Sequence, residues 1–240
     1  MTIAPDQIRK PRDLSQIIDG AISLYRHNFG EFVAIAAVAL PIDIVVAVAP
    51  VVVPNEIVSV LLAILLPIPA IIFSIAVTAA LIRAITDISD GLPADFNRSY
   101  RQVLSRLGVL LLAALRVVGI TLLIAITIIG IPFAIYLWIR WAFYPQAVVI
   151  EQTDSGDALS LSADIVRGSW WRTFGIVIVI SLLAAIPSYG VAALFAWASP
   201  IASALISAVI TTIVLPFTAG AFTLMFFDLS SRRSQHVSVA

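Results

Sequence analysis

The chain has no cysteine, only two histidines and only 12% charged residues in a length of 240, where a soluble domain carries about 25%. Without cysteine there is no disulfide, no thiolate chemistry and no Cys-ligated metal. His27 and His236 lie at opposite ends of the chain, with no neighbouring spacing suited to a metal, and read as polar-face or tail residues. Glycine-rich phosphate loops, a nucleophile elbow and the zincin helix motif are missing. Glu151, Asp154, Asp157 and Asp164 follow no calcium-loop pattern; their spacing fits helix capping and a solvated face. No catalytic residue, metal or cofactor is therefore expected, and no enzymatic activity. Basic and acidic residues balance at 14 each, which gives no reason to expect a nucleic-acid partner.

Apolar residues are abundant instead, at 61% of the chain with a mean hydropathy of +1.07. The first 30 residues hold Asp6, Arg9, Lys10, Arg12, Asp13, Asp19 and Arg26, with no apolar run that would serve as a signal-peptide core, so no cleavage is expected there. Six stretches then meet the bilayer requirement of about 20 residues, at 32–52, 57–82, 107–129, 131–150, 173–197 and 200–227. The expected fold is an all-α polytopic helical bundle forming a single integral membrane domain over 1–240. The runs are continuous rather than alternating, which disfavours a β-barrel. Pro41, Pro67, Pro69, Pro187 and Pro216 fall inside spans, where kinks are expected.

Twelve of the 14 basic residues group in four segments: Arg9 to Arg26, Arg83 to Arg106, Arg167 with Arg172, and Arg232 with Arg233. The alternate loops, at Pro54 to Glu56, Gly130 and Ser199 to Pro200, hold no basic residue. The positive-inside rule then places both termini, including a tail at 228–240, in the cytoplasm and the protein in the cytoplasmic membrane. Loops this small on the far side leave no room for an extracellular ligand-binding domain.

Leu14, Ile17, Ile18, Ala21, Ile22, Tyr25 and Phe29 recur at helical spacing, opposite a polar face, with Asp13 and Gln16 placed to cap the start. This predicts a helix over 13–29, lying in the membrane interface or packed on the chain's own loops. An internal echo supports a repeat. At a constant offset, Leu14 matches Leu159, Ser15 matches Ser160, Asp19 matches Asp164 and Phe29-Gly30 matches Phe174-Gly175, while Tyr25 falls on Trp170. With Ala94 to Arg106 as a middle copy, the chain reads as three units of interfacial helix plus hairpin.

The run from Leu14 to Phe29 resembles the opening of the membrane domain associated with glycerophosphoryl diester phosphodiesterases and its stand-alone, uncharacterised bacterial and archaeal relatives. Further similar pieces are Ile131-Pro132 with Tyr136 and Arg140 to Tyr144, then Glu151, Ala158-Leu159-Ser160, Val166 to Gly175, and Phe227-Asp228-Leu229 before the basic tail. The resemblance spans most of the chain in order and implies a six-span membrane protein. Phosphodiesterase activity is not expected, because these 240 residues leave no room for the catalytic barrel of the fused relatives.

Three charges fall inside the predicted spans. Asp43, Arg116 and Arg140 each lie about 15 to 18 Å of helix from the nearest charged boundary, near the middle of a core about 30 Å thick. Each costs about 2.5–3.5 kcal/mol if it faces lipid, so the economical arrangement is one shared site. Asp43 would neutralise one arginine, leaving a positive charge for an anionic lipid headgroup or a small anion. Tyr136, Arg140 and Tyr144 at i, i+4 and i+8 would share one helix face, and Ser203, Ser207 and Thr211 form an inward polar stripe. Alternatively, the charges are a buried network locking the bundle. Trp170 and Trp171 fit an aromatic belt, whereas Trp138 and Trp141 are expected to pack between helices.

Two functions fit: an accessory or scaffold protein whose basic side meets anionic membrane lipids at about 1 kcal/mol per basic residue, or a small transporter or lipid- and anion-handling protein using the Asp/Arg site. Three units differ from the two-repeat plan of many transporters, which lowers the second.

Overall fold

A computed structural model describes residues 12–196 and 199–238, and among these every regular element is a helix. Arg9 and Lys10 lie outside the described residues. Helix α1 (Leu14–His27) opens on Asp13 and Gln16, which cap each other's backbone, and stops where the Asn28 side chain donates to the Leu24 carbonyl at 3.0 Å. Its buried stripe is Ile17, Ala21 and Leu24, at the spacing of one helix face.

The first span is a broken one. Helices α2 (Phe29–Ala36) and α3 (Leu40–Val52) meet at a 46° bend, just before Pro41, whose ring has no N–H and crowds the carbonyl four residues back. A turn capped by Asn55, which accepts from the Val58 N–H at 3.0 Å, leads to α4 (Glu56–Leu65), and Pro67 opens α5 (Pro67–Ser89). Gly91, at φ +80°, releases the chain after α5. Asp95 then accepts from the Arg98 N–H at 2.6 Å and starts α6 (Phe96–Ala125).

The turn from α6 to α7 (Gly130–Arg140) is tight. Gly130 donates its N–H to the Thr127 carbonyl, and a Cβ there would sit 1.8 Å from the Ile124 carbonyl oxygen. The fourth span breaks at Trp141 to Phe143, ahead of Tyr144-Pro145, into α8 (Tyr144–Ile150). Helix α9 (Ser155–Val166) folds back on α8, and Gly168 at φ +83° precedes α10 (Trp170–Ala196) and α11 (Pro200–Ser238). Pro187 and Pro216 lie within these last two helices.

Among the described residues, five helices or helix pairs are long and apolar enough to cross a membrane, and the bent α2–α3 pair makes six. The fold is thus an all-α bundle of three hairpins. The middle interfacial segment differs from expectation: Phe96 to Arg106 forms the first turns of the 30-residue α6 rather than a helix of its own. The outer pair keeps its pattern, α1 breaking at Asn28 and α9 at Arg167 to Ser169 before a span begins. Helix α1 lies lengthwise along α11. Arg12 meets Asp228 at one end, and the Tyr25 hydroxyl donates to the Ile213 carbonyl at 2.8 Å at the other. Its apolar stripe therefore faces protein.

Burial divides the molecule into two layers. At the arginine-rich end, α5 from Val77 to Ser89 and α11 from Ala219 to Leu229 are enclosed nearly all round, with Phe32, Phe143 and Phe226 filling the centre. Beyond this layer, the hairpins 40–76, 111–140 and 174–216 expose leucine, isoleucine and valine over most of their length. A helix apolar all round is enclosed by protein or by lipid, and the two layers show the two cases.

Candidate functional site

The arginine-rich layer is organised by two carboxylates whose side chains have no exposed surface. Asp87, near the end of α5, pairs with Arg83 one turn earlier and accepts from Arg98 Nε at 2.8 Å. Asp228 of α11 accepts from Arg172 Nη1 at 2.7 Å, Arg232 Nε at 2.8 Å and the Arg12 backbone N–H at 2.6 Å. Arg172 and Arg232 also donate to the Arg12 carbonyl. Burial lowers the Arg12 guanidinium from its ordinary value and Asp228 opposes that shift. In the same layer, Arg106 of α6 donates to the Gln152 carbonyl at 2.6 Å. The returning helices of the first and third hairpins, α5 and α11, are thus clamped through an acid in Asp87-Ile88-Ser89 and Asp228-Leu229-Ser230.

Asp43, Arg116 and Arg140 occupy three different places, and no ion pair joins them among the described residues. Arg116 lies on the exposed side of α6, next to Leu115 at 68% exposure, and its Nη1 donates to Ser155 Oγ at 2.8 Å at the start of α9. Arg140 ends α7 half-exposed, with its guanidinium carbon 5.7 Å from the centre of the Tyr136 ring. Its carbonyl accepts from Ser162 of α9 at 2.8 Å. Counted outward from the Ile126 to Ile129 turn, Arg116 and Arg140 fall at one height of the hairpin, about 15–17 Å from it at 1.5 Å per residue. Both lie beside α9, whose Asp157 and Asp164 are exposed, so a polar helix flanks both arginines.

The three-residue stack on the fourth span is interrupted. The break ahead of Pro145 puts Tyr144 on α8, half-buried, and only Tyr136 faces the Arg140 guanidinium. Trp170, rather than Tyr144, is the aromatic that packs against Tyr136. Its ring stacks on Tyr136 at 5.5 Å and on Phe174 at 5.1 Å, and its indole N–H donates to the Tyr136 carbonyl at 3.1 Å. Trp171 beside it is 79% exposed and Trp138 is 63% exposed. The expectation that Trp138 packs between helices is corrected: α7 packs against α6, α9 and α10, and Trp138 lies on the side they leave open.

Asp43, one turn into α3, faces a cavity between the first and third hairpins together with Ser203, Ser207 and Thr211, which line it as a stripe with Ser203 and Ser207 half-buried and Thr211 exposed at its mouth. This cavity reaches neither Arg116 nor Arg140. The side chain of His236 lies outside what is described, and His27 bonds its own helix at the Ser23 carbonyl.

An all-α, multi-pass architecture with apolar hairpins and one arginine-rich end defines the class as a polytopic membrane protein. No family model matches the chain, nor does any curated protein or solved structure.

Proposed function

We propose that the chain is a non-enzymatic, lipid-interacting protein of the cytoplasmic membrane, an accessory or scaffold whose arginine-rich layer faces the cytoplasm and holds anionic lipid at Arg116 and Arg140. One observation carries this reading: two arginines at the same height of an otherwise apolar, exposed hairpin, neither paired with an acid among the described residues. An unpaired guanidinium beside lipid is costly, and a lipid phosphate is the anion that a bilayer supplies at that place. The Arg116 side chain extends towards α9, as long basic side chains do to reach the headgroup region. Tyr136 and exposed Trp138 and Trp171 give the aromatic frame common at that level. Kinship to the membrane domain associated with glycerophosphoryl diester phosphodiesterases belongs to the same proposal, supported by Leu14 to Phe29 and Val166 to Gly175.

Thermal unfolding in nanodiscs tests it. Phosphatidylglycerol in place of phosphatidylcholine is expected to raise the wild-type midpoint, and Arg116→Leu with Arg140→Leu to abolish the rise. An equal rise in the double variant contradicts the site.

A further inference from the structure

Between α3, α5 and α11 lies a cavity of about 570 Å³, inside the roughly 300–1,000 Å³ range of small-molecule sites. Asp43 and Ser74 face it from the first hairpin, and Ser203, Ser207 and Thr211 from the third. Apart from Thr212, the rest of the lining is alanine, valine, leucine and proline. Hydroxyls on apolar helices commonly bond back to the carbonyl one turn earlier, as Thr121, Ser188, Thr212 and Thr223 do here at 2.6–3.0 Å. Ser74, Ser207 and Thr211 make no hydrogen bond through their hydroxyls among the described residues, and the Asp43 carboxylate takes neither a hydrogen bond nor an ion pair. Among the described residues no arginine or lysine lines the space.

A carboxylate in an apolar layer requires a proton or a cation beside it, and hydroxyls left free on the same wall offer acceptors for further donors. We propose that this cavity binds a single-chain amphiphile with a primary ammonium headgroup. The ammonium has three donors: one meets Asp43, and Ser207 and Thr211 accept the others. The chain lies along Val46, Ala204 and Ala208. On α11 the lining runs from Pro200 to Leu215, about 22 Å at 1.5 Å per residue, which suits an extended alkyl chain. A phosphate finds no cation in this lining, so the favoured ligand is an alkylammonium rather than an aminophospholipid. This site and the arginine site stand independently.

The test uses the full chain in phosphatidylcholine nanodiscs. Dicyclohexylcarbodiimide adds covalently to a protonated carboxyl in apolar surroundings, and mass spectrometry locates the adduct. Asp43 is expected to be labelled, and dodecylammonium to slow labelling about tenfold by ionising and covering the carboxyl, the effect of one charge-assisted hydrogen-bonded contact. Dodecanol, with the same chain and no charge, is expected to leave the rate unchanged. Ser207→Ala with Thr211→Ala is expected to label at the wild-type rate but to lose most of the protection. No label at Asp43, or equal protection by dodecanol, overturns the proposal. Protection by phosphatidylethanolamine in the nanodisc as strong as that by dodecylammonium also overturns it, in favour of a phospholipid. Arg116→Leu with Arg140→Leu is expected to change none of these rates, which separates failure here from failure of the arginine site.

Discussion

Asp87 and Asp228 are sealed from solvent while the arginines that hold them keep 16–40% of their side-chain surface exposed. Removing the acid leaves guanidiniums that recover some hydration, so the loss should fall at the lower end of the 3–5 kcal/mol typical of a broken buried pair. Asp228→Asn is expected to cost about 3 kcal/mol by denaturant unfolding in micelles. Replacing Asp228 and Arg172 together by leucine is expected to recover part of that loss. Arg116→Leu, which breaks no ion pair, should cost far less than Asp228→Asn in zwitterionic micelles, because loss of the Ser155 hydrogen bond is offset by removing a guanidinium from an apolar face. Arg116 and Arg140 were legible because a charge inside an apolar run stands out. The two structural acids were not, since each sits at a run's end like a solvated cap and finds partners 11 and 56 residues away.

Elements were legible where one physical rule governs them. Span positions follow from apolar length, the first break from Pro41 and the start of α1 from the Asp13 and Gln16 cap. The break before Tyr144-Pro145 follows the same proline rule but lies inside an otherwise continuous apolar run. Amphipathic α1 illustrates a harder case: its stripe fits a bilayer surface and a protein groove equally well, and only the fold shows α11 covering it. Tyr25 pins its far end, so Tyr25→Phe should cost about 1 kcal/mol and speed amide hydrogen exchange in α1 before the rest of the chain. At the α6–α7 turn there is no space for a methyl group beside the Ile124 carbonyl. Gly130→Ala should therefore destabilise by about 1–3 kcal/mol, the usual cost of overpacking, read from the unfolding midpoint.

At the scale of the molecule, an enclosed, ion-paired layer carries three apolar hairpins, and charge segregation sets its proposed orientation. The chain contains no cysteine, so single-cysteine variants report accessibility without background. In intact cells a membrane-impermeant maleimide should label Asn55→Cys, in the turn between α3 and α4, and leave Gln102→Cys on α6 unlabelled until the membrane is permeabilised. The reverse pattern contradicts the orientation. The economical single site expected from Asp43, Arg116 and Arg140 separates here into an acidic cavity and two arginines held apart at Ser155 and Tyr136, because whether charges on different spans meet depends on helix rotation and tilt, which composition does not carry. Native mass spectrometry of the protein released from nanodiscs containing phosphatidylglycerol, wild type against folded Arg116→Leu and Arg140→Leu variants, tests the central claim most directly. The account predicts retained anionic lipid on the wild type and its loss from both variants. Equal retention on all three, or none on the wild type, would contradict it.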